Sequence, residues 1–262
     1  MKFASFPKFA LLSALAGVFA LVLTGCGASS NLALTQGNWS MTATPSGGAA
    51  TFYIGGNLTQ SGTSVVGTMY VVNSLCYSPS QTVAFTGTVK GNNVTLTSAS
   101  VGGEVISLIA AGTAGSLTGT YSIAGGTSCN GDSGTLTANP VPSISATWSG
   151  PITGSGGSNV TLAIAFTQAA AASADGTFAL TGNVTFTNSS CSLTGTVNHS
   201  FIAGPYLVVQ GQTNDVSGNT GDYTYTQVLL NNPATPTSMT GTYSVIDGDC
   251  AGDLDSPTFT KQ

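Results

Sequence analysis

Four aspartates crowd the last stretch of the chain, Asp247 and Asp249 before Cys250, Asp253 and Asp255 after it. Hard cations such as calcium take several carboxylate oxygens converging from one flexible loop, and this alternation could supply them. The spacing is not that of an EF-hand loop. The equivalent turn after Cys129 keeps only Asp132, so the same residues also read as a solvated acidic turn. Tyr223 and Tyr225 are two apart and share one face of a strand. Facing outward, they would stack a sugar ring or a partner's side chain; facing inward, they would be core. Gly131-Asp132-Ser133-Gly134 sets a hydroxyl beside a carboxylate, yet a nucleophilic serine needs a histidine base within hydrogen-bond reach. The chain's 1 histidine, His199, lies in the other half, and the matching turn there reads Gly252-Asp253-Leu254-Asp255. No acid–base pair, metal triad or nucleophile–base set can be assembled. The expectation is a protein without catalysis and without a cofactor, the calcium option apart.

Charge narrows the partners. Beyond position 26 the only cations are Lys90 and Lys261, against the chain's 9 acids, and arginine is absent. Nucleic-acid binding needs a basic footprint to displace counterions, so that class is excluded. Phosphate and carboxylate ligands lose their usual bidentate clamp as well. The abundance of Gly, Ser, Thr and Asn could suggest disorder, but regularly spaced Val, Leu, Ile, Phe and Tyr offer a core to bury. Alternating Thr-rich stretches favour strands.

The elements that must position these residues come in two copies. Asn38-Trp39-Ser40 is matched by Thr147-Trp148-Ser149. Leu117-Thr118-Gly119-Thr120-Tyr121-Ser122 is matched by Met239-Thr240-Gly241-Thr242-Tyr243-Ser244. Each copy has a middle cysteine, Cys76 or Cys191, and a late one, Cys129 or Cys250, followed by a Gly-Asp pair. A duplication is the simplest explanation, with residues 37–138 and 145–262 as the repeats. Residues 139–144, which include Pro140 and Pro142, are the linker. Copy one parses into strands near 37–45, 50–60, 63–73, 81–89, 92–99, 103–111, 115–124 and 132–138. Copy two parses near 146–153, 159–169, 175–187, 192–200, 205–213, 221–231, 238–246 and 254–260. The small residues of 169–174 read as a loop, and His199 as an ordinary surface residue at a strand end. The fold class is therefore all-β, with two tandem antiparallel up-and-down barrels or curved sheets of about eight strands each. A β-sandwich is the alternative. In a meander, the loops after the third and seventh strands lie at one end, so Cys76 can reach Cys129 and Cys191 can reach Cys250. Four cysteines allow three pairings, and pairing within each copy is the one that a duplication preserves.

The amino terminus sets the address. Lys2 and Lys8 precede an uncharged apolar run over residues 9–23. That run falls short of the roughly 20 residues needed to span a bilayer and suits a secretory signal peptide over residues 1–25. Leu23-Thr24-Gly25-Cys26 resembles the lipobox of bacterial lipoproteins. The resemblance implies that the Cys26 thiol carries a diacylglyceryl group and that the new amino terminus is acylated, for example with palmitate. Two or three chains make such an anchor stable. In that family an Asp after the cysteine directs retention at the inner membrane, so Gly27 implies the outer membrane. Residues 26–36 would be a lipidated tether, at full extension about 35 Å long.

Two further resemblances are local. Gly131-Asp132-Ser133-Gly134 looks like the nucleophile motif of trypsin-like proteases, without that family's histidine. Gly37-Asn38-Trp39 resembles the Gly-x-Trp that opens lipocalin and avidin-type (calycin) barrels, where the indole closes one end of the barrel. Copy two has Ala146 in place of the glycine, and the arginine that lipocalins stack on the tryptophan is absent. Together these readings predict a lipid-anchored lipoprotein with a structural or interaction role in the bacterial cell envelope. The alternative is a binding module for a small apolar ligand or a glycan, held in a barrel interior or on the tyrosine face.

Overall fold

The computed structural model describes residues 31–77, 81–154 and 159–262. Cys26 and the expected signal peptide lie outside the described residues. The first barrel consists of β1 (Gly37–Pro45), β2 (Phe52–Ser61), β3 (Ser64–Val72), β4 (Gln81–Lys90), β5 (Asn93–Ser98), β6 (Glu104–Thr113), β7 (Ser116–Gly125) and β8 (Ser133–Pro140). These strands pair antiparallel in sequence order, and β8 returns to β1 to close the barrel. Alternation along the chain becomes the inside and outside of the wall. In β5, Val94, Leu96 and Ser98 are buried while Asn93, Thr95 and Thr97 are exposed, as the two-residue strand period requires.

The second barrel repeats the plan with β9 (Thr147–Ile152), β10 (Val160–Gln168), β11 (Phe178–Thr187), β12 (Ser192–Ala203), β13 (Tyr206–Asp215), β14 (Thr220–Asn231) and β15 (Ser238–Val245). Its final stave is split into β16 (Leu254–Asp255) and β17 (Thr258–Lys261). A single strand is expected over 254–260. The break falls at Ser256-Pro257, where the proline has no N–H to give the ladder. Closure comes from β14 pairing with β15 and β17 pairing with β9. Both halves are thus closed eight-stranded antiparallel barrels, and the sandwich alternative is set aside. Residues 169–174 form a loop, as expected.

Each barrel has its own core. Trp39, Met41, Ile54, Met69, Phe85 and Tyr121 fill the first; Trp148, Ile164, Tyr223, Tyr225, Tyr243 and Phe259 are in the second. Both indoles are fully buried. The Trp39 Nε1–H donates to the Thr35 carbonyl at 2.6 Å, and the Trp148 Nε1–H to the Ile144 carbonyl at 2.9 Å. A glutamine side chain ties down the incoming segment in each copy. Gln60 Oε1 accepts from Leu34 N at 2.7 Å, and Gln168 Oε1 from Ile144 N at 3.0 Å. Residues 32–36, expected as tether, are therefore part of the first barrel, with Leu34 buried and Leu32 N donating to Gly91 O at 2.8 Å. The expected linker is likewise structural. Asn139 and Pro140 complete β8, while Val141 and Ile144 are buried in the second core.

The barrels meet along backbone. Asn38 caps the turn between β12 and β13 like a peptide group: its Oδ1 accepts from Gly204 N at 2.6 Å and its Nδ2 donates to Gly204 O at 3.3 Å. Asn57 N donates to Gly176 O at 3.0 Å. Gly55 and Gly204 approach so closely that a Cβ on either would overlap the other's backbone. The rings of Tyr70 and Phe201 sit 5.3 Å apart beside this seam.

Candidate functional site

The disulfides are Cys76–Cys129 and Cys191–Cys250, with Cα atoms 5.6 Å apart in each. They link the loop after the third strand to the loop after the seventh, one bond within each copy. Bonds of this kind form and persist in oxidising compartments, which marks the protein as exported. Each loop is also held by a buried carboxylate that sequence reasoning missed. Glu104, the first residue of β6, accepts from Ser128 N at 3.1 Å and Cys129 N at 2.8 Å through Oε1. Asp215, the last residue of β13, accepts from Ser192 Oγ at 3.1 Å, Thr213 Oγ1 at 3.0 Å and Asp249 N at 2.6 Å. Burying a carboxylate is tolerated because charge-assisted bonds replace its hydration. The signal available in the sequence was that Glu104 is the chain's sole glutamate.

Asp247, Asp249 and Asp255, around Cys250, accept from different backbone N–H groups. Asp247 Oδ1 accepts from Asp222 N. Asp249 Oδ2 accepts from Ser217 N at 3.2 Å. Asp255 accepts from Thr153 N at 2.6 Å and from Ser256 N at 2.7 Å. Burial pushes the Asp255 pKa up, and the two backbone N–H bonds outweigh it, so the carboxyl lies below its usual range. Asp253 packs against Gly154. Among the described residues, the group of three potential ligand atoms within 4.8 Å of one another is Cys191, Cys250 and Asp253. Two of these sulfurs are already bonded to each other. Through these bonds Asp247, Asp249 and Asp255 tie loop ends together.

Tyr223 and Tyr225 face the interior of the second barrel and are at most 1% exposed. They therefore offer no outward stacking platform. The reason is register, since alternate residues of β14 point inward and Asp222 and Thr224 take the outer face. The Tyr223 hydroxyl donates to Thr196 O at 3.1 Å and the Tyr225 hydroxyl to Pro257 O at 3.2 Å. Burial raises both phenol pKa values well above the usual range, with Tyr243 adding to the shift at Tyr223. Burial also pushes Tyr77 up to about 12, with the Glu104 charge contributing.

Ser133 and His199 stand on different barrels. The carboxylate beside Ser133, Asp132, accepts from the Tyr121 hydroxyl at 3.0 Å through Oδ2. His199 is not at a strand end. It lies within β12 at a bulge, where pairing with β13 jumps from Asn198↔Gln210 to Phe201↔Val208, and its φ is 47°. Non-glycine residues in that region cost of order 1–3 kcal/mol and concentrate at functional positions.

Two open depressions mark the outer surface. One, of about 660 Å³, lies on the first barrel between Thr44, Thr120, Tyr121 and Thr135, above Gly134. The other, of about 400 Å³, lies on the second barrel and is lined by Asn198, His199, Gln210, Gln212, Asp222 and Ile246. Sequence reasoning took His199 for an ordinary surface residue and passed over the other five, because they come from three strands and a loop. The one legible trace was the alternation Gln210-Gly211-Gln212. No family model matches the chain, and neither a curated protein nor a solved structure matches it.

Proposed function

We propose that the protein is an exported lipoprotein, anchored through Cys26 in a bacterial outer membrane, whose two barrels serve a structural or interaction role in the envelope and carry no catalysis. The observation that supports this role is the filled interior of each barrel: the largest side chains, among them Trp39, Phe85, Tyr121, Trp148, Tyr225 and Phe259, are buried inside the walls. An eight-stranded barrel that carries a ligand keeps that space for it. The lipobox Leu23-Thr24-Gly25-Cys26 supports the anchor. Because Leu32 is already bonded to Gly91, only residues 27–31 separate the acylated cysteine from the folded barrel, at most about 18 Å of extended chain. Such a tether holds the first barrel against the membrane.

Growth with labelled palmitate tests the reading. The wild-type protein should incorporate label and sediment with outer membranes, and Cys26→Ser should lose the label and enter the soluble periplasmic fraction. A wild-type protein that is unlabelled and soluble would overturn it.

A further inference from the structure

The depression on the second barrel lies over strands whose pairing departs from that of the first barrel, although the two share one plan. In the first barrel the pairing of β4 with β5 runs from Phe85↔Ser98 to Lys90↔Asn93 without a shift. The matching pair, β12 with β13, carries the bulge at His199 and Ser200. That bulge is held in place. The Ser200 hydroxyl stands in for the missing ladder partner, accepting from Gln210 N at 2.8 Å and facing Asn198 O at 2.7 Å. Bulges re-aim side chains and are retained as built features. Docking of Phe201 on Tyr70 accounts for an extra residue in the strand. It does not account for the imidazole, carboxamides and carboxylate gathered around it.

The lining selects a ligand class. Gln210 and Gln212 project outward from β13, and Asp222 projects outward from β14 opposite Gln212. Asn198 and His199 close one side of the depression. Ile246, 61% exposed, is pinned at the rim by its N–H bond to Asp222 O at 2.7 Å. An anion would face Asp222, and no lysine or arginine lines the depression to offset it. A purely apolar ligand would leave the carboxamides and the carboxylate desolvated without partners. A polyhydroxylated neutral molecule matches the set, because each hydroxyl both donates and accepts, while amides, imidazole and carboxylate offer both roles. The isoleucine offers an apolar contact for the C–H face of a ring. A volume of about 400 Å³ lies within the range of small-ligand sites.

We propose that this depression is a saccharide-binding site, with Gln210, Gln212 and Asp222 as the hydrogen-bonding groups and His199 at its edge. The inference does not depend on the lipid anchor. His199 is the chain's 1 histidine, so its ring C–H resonances report the site without overlap. The full mature protein in detergent is titrated with trisaccharides of glucose, galactose, mannose and N-acetylglucosamine up to about 10 mM, enough to populate sites with a Kd near about 1 mM. At least one should shift the His199 signals saturably. Asp222→Asn and Gln212→Ala should each weaken that titration about tenfold, with the circular dichroism spectrum unchanged. Signals that stay fixed with all four sugars would overturn the proposal, as would a titration that Asp222→Asn and Gln212→Ala leave unaltered. Palmitate labelling bears on the anchor alone, so the two readings fail separately.

Discussion

Tyr223 and Tyr225 show how one step of register converts a candidate recognition surface into core. Once they turn inward, their hydroxyls must find carbonyls, and they do so at Thr196 and Pro257. Burial then holds the phenols neutral well beyond the ordinary range, and the same holds for Tyr77 and Tyr121. At Tyr121 the hydrogen bond to Asp132 adds to the effect of burial. In each case the folded pKa lies above the unfolded value near about 10, so the folded state keeps a proton that the unfolded chain sheds. This contribution is complete below the unfolded pKa and is lost as pH rises toward the folded values. Phenolate absorbance measured with circular dichroism should therefore show these four tyrosines silent until the barrels unfold in alkali. Reversible ionisation of all 8 tyrosines near their ordinary pKa, in a protein that stays folded, would contradict the core placement.

At the scale of elements, closure of a narrow barrel demands backbone close approach where strands coil most tightly. Thr118-Gly119-Thr120 meets that demand in β7. The threonines are exposed, and a Cβ on Gly119 would run into the Ile109 carbonyl of β6. Strand glycines of this kind weaken local propensity and mark bends that a side chain would block. Gly119→Ala should cost about 1–3 kcal/mol, the usual range for overpacking, read from the urea midpoint at unchanged m-value. The same substitution at Gly91, where nothing approaches the added carbon, still strains a φ of 59° and should cost about 1 kcal/mol. Equal, negligible effects at both sites would show that the walls tolerate the extra carbon. The disulfides add a constraint on the unfolded chain. Closing loops of 53 and 59 residues contributes about 4 kcal/mol each in the chain-entropy picture.

At the scale of the molecule, the two cores are separate but the barrels share a seam built from Asn38, Gly55, Gly176 and Gly204. Asn38 is 6% exposed and satisfies both polar groups of Gly204. Asn38→Ala strands a buried N–H and C=O, at a cost of about 1–3 kcal/mol. Calorimetry of the wild type should show one transition, and the variant should resolve into two, one for each core. A wild type that already unfolds in two steps would mean that the seam transmits no stability between the barrels.

Strand placement was legible to within a few residues because each barrel wall is lined on one side by core and on the other by water, which writes a two-residue period into the chain. Paired cysteines were legible for a related reason: up-and-down order puts alternate loops at the same end. The stretch that resembles a lipobox stands in consecutive residues, so the expectation of an anchor there rests on sequence alone. What tertiary structure alone decided lies between strands. The direction of Tyr223 and Tyr225, the bulge under His199, the capture of two loops by Glu104 and Asp215, and the docking of Gly204 on Asn38 all depend on residues that meet only after closure. Register, bulges and burial of a charge are set by the summed packing of a closed wall, and a local stretch of sequence does not carry that sum.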